Sequence, residues 1–354
     1  MKRKFAGLRS RHSAALQSPE YSRQQIKQGI MNWNFNRAIA PHRLSRRKFI
    51  GLGVMTGLIL ASCNPRGDRD TATGDRPSVV STSTILTDLT EQIGGDRIQV
   101  TGILRPGDDP HVYEPVPADT VALEQADLIL YNGYNLEPGI IRLINSAGVN
   151  AKKLPVGEVV PPLAIAYHNQ QVPDPHVWGS VANVILMVER IRDALSELSP
   201  TDQQVFSQNA APLIQRLTRL HQWIGTQIAT IPAARRRLVT THDAFQYYAH
   251  AYGLEVIGTL IGISTEEQPS AQTVQTLVES IKGAGVPTIF AETTINPQLI
   301  TTVAEESGVA LSPQALYSDS IGAKGSPGDS YINMMVSNTK AIVEALGGQY
   351  TPFE

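Results

Sequence analysis

The chain has 354 residues, 30 Lys and Arg against 32 Asp and Glu, a formal net charge of −2 and one cysteine. A lone cysteine excludes an intrachain disulfide framework and a Cys-based zinc finger. The charge is unevenly placed: the first 50 residues hold 12 Lys and Arg against the single acid Glu20, so the chain from Cys63 onward carries 18 basic and 31 acidic residues, near −13. That balance excludes nucleic acid as a partner and suits a surface that concentrates cations.

Residues 1–62 read as an export signal. A basic stretch ends in SRRKF, an uncharged run IGLGVMTGLILAS follows, and small residues close it. The apolar run is about 13 residues, short of the roughly 20 that span a bilayer. Leu60-Ala61-Ser62-Cys63 resembles a bacterial lipobox, which makes Cys63 the lipidated first residue of the exported protein and its attachment to the membrane. The competing reading is a buried apolar helix with an ordinary core cysteine. Arg46-Arg47 with Phe49 resembles a twin-arginine signal for export in the folded state. Met31 is an alternative start that gives a shorter basic region. Residues 63–76, polar and almost free of apolar side chains, read as a tether.

Next come short β-rich runs alternating with amphipathic helices. Residues 78–84 predict a strand and 85–95 a helix stopped by Gly94-Gly95. Strands over 98–104 and 128–133 are separated by a helix over 118–126, and a further helix covers 139–148. The second half repeats the pattern. Strands are expected at 235–242, 254–262 and 287–293, with helices at 244–253, 270–285, 297–308 and 330–347. This is α/β organisation with mostly parallel sheets. Between the halves, residues 200–232 keep a helical period for about 30 residues, with Pro200 at its start, Pro232 at its exit and Pro212 as a possible kink. The expected layout is an N-terminal lobe over 77–199, a linking helix over 200–232 and a C-terminal lobe over 233–354. A helical strut implies limited closure around something small.

Three histidines stand in marked surroundings: His111 in PGDDPHVYEP, His176 in PDPHVWG and His242 in VTTHDAFQYY. Asp319 in LYSDS adds a carboxylate. Three neutral imidazoles and one carboxylate suit a single divalent transition metal. Each histidine alone reads equally as a loop or core residue, but the repeated Asp-Pro-His, at 109–111 and 174–176, argues against coincidence. His250, His168 and His221 read as a helix-surface, a polar-loop and a linking-helix residue. Trp178 reads as a wall against solvent or as core. Asp243, Glu266 and Glu292 are candidate carboxylate partners for the ligating histidines.

These segments, with TIFAETTINP and LYSDSIGAKGSPGDSYINMM, resemble the periplasmic metal-binding proteins that serve zinc and manganese ABC importers. The resemblance covers about residues 77–350. It implies two lobes joined by a long helix, with one metal buried between them. It implies His111, His176, His242 and Asp319 as the ligands, two from each lobe. It also implies an ABC permease and its ATPase as partners, a monomer, and no enzymatic activity. Three nitrogens and one oxygen suit Zn²⁺, while Mn²⁺ prefers oxygen-richer sites. Manganese-dedicated members usually carry Glu where this chain has His242, which points to zinc. Zinc-dedicated members often add a histidine-rich loop after the first ligand, and residues 116–167 contain no histidine, which points the other way. Zn²⁺ is the first expectation and Mn²⁺ the next. Competing readings are a metal-binding surface adhesin or sensor, and a zinc hydrolase with Glu292 as base, although no HExxH motif is present.

Overall fold

The computed structural model describes residues 76–146, 150–167 and 170–354. The export signal, the lipobox with Cys63, nearly all of the tether and His168 lie outside these residues. Among the described residues, no helix is long and apolar enough to cross a membrane.

The N-terminal lobe is built on four parallel strands: β1 (Ser78–Ser81), β2 (Gln99–Gly102), β3 (Leu128–Tyr131) and β4 (Lys152–Pro155), in the order β2-β1-β3-β4. Alternate residues point to opposite faces of a strand. Accordingly Val79, Leu128 and Leu130 join one apolar cluster, while Val80 and Ile129 join another. The sheet is therefore covered on both sides, as parallel sheets require. Helices α1 (Thr84–Gly94), α2 (Pro117–Glu124) and α3 (Pro138–Ser146) connect the strands.

The first strand ends at Ser81 rather than residue 84. Ser83 leaves the sheet to cap α1, its hydroxyl accepting from Leu86 N at 3.2 Å. Four elements of this lobe lie outside the expected pattern. They are β4, the antiparallel pair β5 (Ala164–Tyr167) and β6 (Gln170–Pro173), and the 18-residue helix α4 (Val181–Leu198). Helix α4 buries Val181, Val184, Met187, Val188, Ile191, Ala194 and Leu195, a complete helical stripe.

A single turn of 3₁₀ helix at Pro200–Asp202 leads into α5 (Gln203–Ala229), the long helix between the halves. Its buried positions, Phe206, Ala210, Leu213, Leu217, Leu220, Ile224 and Ile228, recur every three or four residues and pack along α4. Helix α5 runs through Pro212 without a break. Pro212 is exposed, so the carbonyl deprived of its N–H partner faces water, which moderates the cost of an internal proline.

The C-terminal lobe is more fragmented. β7 (Arg237–Thr240) pairs in parallel with β8 (Glu255–Thr259), with a register shift at Leu238/Val239. β9 (Thr288–Ile289) pairs in parallel with β10 (Ala310–Leu311). One backbone hydrogen bond, Phe290 N to Val239 O at 3.0 Å, ties the two pairs. Helices α6 (Gln246–Tyr252), α7 (Ala271–Ala284), α8 (Gln298–Ser307) and α9 (Tyr331–Ala345) complete the lobe. Gly253 stops α6 at φ 80°, a left-handed conformation that glycine adopts without a Cβ penalty. The fold is thus two α/β lobes with parallel sheets, joined by a long helix.

Candidate metal centre

Four side chains converge where the lobes meet. His111 lies in the loop after β2, and His176 in the turn between β6 and α4. His242 lies two residues past the end of β7, and Asp319 in the coil that precedes α9. All four are buried, and each offers one donor atom within 4.8 Å of the other three. His111 Nε2 and His176 Nε2 are 3.2 Å apart. Asp319 Oδ2 lies 3.1 Å from His242 Nε2 and 3.7 Å from His111 Nε2, and Asp319 Oδ1 lies 3.6 Å from His176 Nε2.

These spacings have a simple geometric meaning. Donors at about 2.0–2.2 Å from a tetrahedral metal stand roughly 3.3–3.6 Å apart. The four separations above, 3.1–3.7 Å, are close to such an edge. His242 Nε2 and both oxygens of Asp319 are buried with no hydrogen-bond partner. Buried polar atoms without partners are costly and rare, and three of them within one cluster of metal-ligating residues mark a candidate cation site.

The other ring nitrogens show how the site is held. The Asp-Pro-His repeat is a structural device: Asp109 Oδ1 accepts from His111 N, and Asp174 Oδ1 from His176 N, both at 2.9 Å. Asp174 goes further, and the same oxygen meets His176 Nδ1 at 2.8 Å. His242 is held by Glu292, whose two oxygens take the backbone N at 2.8 Å and Nδ1 at 2.5 Å. A carboxylate on the remote nitrogen fixes the ring and its tautomer, leaving Nε2 to a metal. Of the three candidate partners, only Glu292 takes this role. Asp243 accepts from the Gln246 amide, and Glu266 is exposed. Asp174 was missed, although its place two residues before His176 was the available signal.

Electrostatics follow from burial. Desolvation pushes His111 down to about 3, reinforced by His176 and His242 and opposed by Asp319. Burial also disfavours the imidazolium of His242, but the adjacent Glu292 and Asp319 carboxylates outweigh it and raise its pKa. Burial likewise opposes ionisation of Asp319, and the surrounding histidines, His242 foremost, overcome it and hold the carboxyl below its usual range. Trp178 walls the site: its ring stands edge-on to His176 at 5.4 Å, and its Nε1 donates to Ser318 O at 2.9 Å. His250 is exposed on α6, and His221 Nδ1 meets Tyr252 OH at 3.1 Å, so neither joins the cluster.

The chain is similar to the manganese-binding lipoprotein MntA of Halalkalibacterium halodurans, 34% identical over 83% of this chain and 96% of that one. It is also similar to the manganese ABC transporter substrate-binding lipoprotein PsaA of Streptococcus pneumoniae, 33% identical over 82% and 96%. Among solved structures, the periplasmic zinc-binding protein TroA from Treponema pallidum superposes with a TM-score of 0.73 at 32% identity, covering 77% of this chain and 99% of that one. The Mn-bound periplasmic metal-binding protein of Candidatus Liberibacter asiaticus gives 0.69 at 26% identity, over 76% and 99%. The profile of ZnuA, described as zinc-uptake complex component A, periplasmic, matches residues 79–345, and the chain belongs to that family.

Proposed function

We propose that this protein is the substrate-binding lipoprotein of a metal ABC importer. It captures one divalent ion outside the cytoplasmic membrane on His111, His176, His242 and Asp319, and delivers it to the permease and its ATPase. The observation that carries the reading is the buried cluster of three imidazoles and one carboxylate, with unpartnered polar atoms among them. Its relatives include lipoproteins named for manganese and a structure named for zinc. Three imidazoles against one carboxylate favour Zn²⁺ as first cargo and Mn²⁺ as second. Lipid on Cys63 would hold the protein at the membrane, and the twin-arginine pair at 46–47 would route its export.

The function is binding and release, with no covalent step. A hydrolase would need an open metal position and a free base. Here four protein donors crowd one buried cluster, and both oxygens of Glu292 are committed to His242.

The metal must displace a proton from His242, so affinity falls as pH falls. The test is metal analysis of the purified chain, followed by competition titration with Zn²⁺ and Mn²⁺. One equivalent bound with high affinity, lost on substituting any of the four residues by Ala, supports the reading. A chain that binds neither ion sinks it. Cys63→Ser should move the protein from the membrane to the soluble fraction, and unchanged membrane association would refute the anchor. Export of an Arg46→Lys/Arg47→Lys variant at the normal level would refute the twin-arginine route.

A further inference from the structure

The two Asp-Pro-His turns begin alike and then diverge. Asp174 spends its reach on the ring of His176, but Asp109 does not touch the ring of His111. Its second oxygen instead accepts from Thr265 Oγ1 at 2.6 Å, across 156 residues of chain and from the other lobe. Among the described residues, nothing hydrogen-bonds the remote ring nitrogen of His111. His176 and His242 are fully buried, whereas His111 lines an open cleft of about 540 Å³ with Tyr131, Tyr134, Glu158, Pro175 and Ile263. Tyr134 and its neighbour Asn135, also on the cleft, hold left-handed backbone at φ 51° and 59°, a conformation that costs energy in side-chain-bearing residues. Ile263 stands two residues before Thr265, so one C-terminal-lobe loop supplies both a wall of the cleft and the tie to Asp109.

We infer that the bound ion enters and leaves past His111, and that the Thr265–Asp109 hydrogen bond is the latch that slows its escape. The inference rests on the metal-binding reading above. Two histidines are locked from behind by carboxylates and cannot swing without breaking buried charge-assisted bonds. Apart from its Nε2 contact with His176, His111 is held through its backbone. Asp109 Oδ1 fixes His111 N, and the Gly107 N to Ser320 Oγ bond at 2.8 Å secures the start of the same turn. Thr265 therefore acts on the ligand through Asp109, as a positioning residue. Releasing it frees the cleft side of the turn and leaves the Ser320 side in place.

The test is the rate of metal release from the full chain purified in detergent. The protein is loaded with Zn²⁺ or Mn²⁺ and mixed with excess chelator. Thr265→Val keeps the shape and removes the hydroxyl. It should release metal about tenfold faster, in keeping with loss of one hydrogen bond to a charged acceptor, with the association rate unchanged. Thr265→Ser restores the hydroxyl and should release at the wild-type rate. Thr265→Ala should match Thr265→Val, which guards against a folding defect peculiar to one variant. Equal release by wild type and Thr265→Val overturns the latch, as does a Thr265→Ser variant as fast as Thr265→Val, or an effect confined to association. Each of these outcomes leaves metal binding by the wild type intact. A wild type that binds no metal overturns the functional reading, and the latch falls with it.

Discussion

The two lobes present their halves of the site on different foundations. In the N-terminal lobe, His111 and His176 stand on loops beside a four-stranded parallel sheet buried on both faces. In the C-terminal lobe, the strands are short and paired in twos, and Asp319 sits on a coil with no strand beneath it. Side chains do there what a sheet does elsewhere. Asn338 on α9 clamps Tyr317 from both sides, accepting from its N at 2.8 Å and donating to its O at 2.7 Å. Trp178 holds Ser318 O, and Ser320 Oγ meets Thr84 Oγ1 at 3.1 Å. The lesson is that ligand placement in the C-terminal lobe depends on a few buried polar groups. In the N-terminal lobe, His111 and His176 stand on loops braced by their own Asp109 and Asp174, beside a continuous four-stranded sheet.

The largest test removes donors from each side. His242→Ala and Asp319→Ala should each weaken metal binding by about a hundredfold, since a site of roughly 10–16 kcal/mol shared among four ligands assigns about 3 kcal/mol to each. His111→Ala and His176→Ala should be comparable, and exposed His250→Ala should be silent. Competition titration reads all five. A His242→Ala protein with wild-type affinity would remove that residue from the site. The proton count adds an independent check. His242 is pushed toward its protonated form by Glu292 and Asp319, so binding near neutral pH should release protons. Titration in buffers of different ionisation enthalpy measures that release, and His242→Ala should reduce it.

The comparison sharpens behind the ligands. Loss of a carboxylate that backs a metal-binding histidine costs about 10- to 100-fold in affinity. Glu292→Gln should fall at the upper end, because Glu292 gives a separate oxygen to the ring and to the backbone N of His242, whereas a single oxygen of Asp174 serves both groups of His176. Asp174→Asn should fall at the lower end, with the His176 turn still supported by its neighbours. If Asp174→Asn proves the more damaging, the two lobes do not differ in the proposed way.

What the sequence made legible follows the same division. The alternation of strand and helix, the long linking helix and the glycine stops were readable because they repeat a period or rest on local backbone preference. The clustering of the four donors was readable from the doubled Asp-Pro-His and from the resemblance. Helix α4 lies outside the expected elements, although its apolar stripe has a helical period. The two-residue strands β9 and β10 are too short to impose any period. Contacts between distant segments left no local trace. Nothing near Thr265 announces Asp109, and nothing near Asn338 announces Tyr317.

A smaller effect concerns the choice of metal. His242→Glu adds a hard oxygen donor and should move the ratio of dissociation constants toward Mn²⁺. The structure adds a complication, because the new carboxylate would face Glu292, which now lies 2.5 Å from His242 Nδ1. Two carboxylates in a buried pocket repel, and one holds its proton. The double variant His242→Glu/Glu292→Gln should therefore shift the ratio further than the single one, by about tenfold, or 1.4 kcal/mol. Competition between the two ions at fixed pH decides it. A ratio that moves in neither variant would show that position 242 does not set selectivity.

The smallest effect lies wholly in the N-terminal lobe. Glu137 is buried at the start of α3, and one oxygen accepts from Thr82 Oγ1 and Asn132 N, both at 2.7 Å. Asn132 in turn donates to Pro175 O at 2.9 Å, one residue before His176. Burial pushes the carboxyl from 4.5 up to about 7, against these hydrogen bonds. At acid pH the group is protonated in both the folded and unfolded chain. As pH rises above 4.5 the unfolded chain gives up the proton and the folded chain keeps it, so stability declines until the folded group ionises near 7. Glu137→Gln keeps an oxygen for Thr82 and Asn132 and cannot ionise. Any cost of burying its amide is the same at every pH, so only the slope reports on the titration. Between pH 6 and 8 the variant should gain about 1 kcal/mol on the wild type, read from denaturant midpoints in the presence of a chelator. A difference that stays flat across that range would mean Glu137 is already ionised in the folded protein. The network joining β1, β3 and the His176 turn would then be held by a charge rather than by a neutral acid.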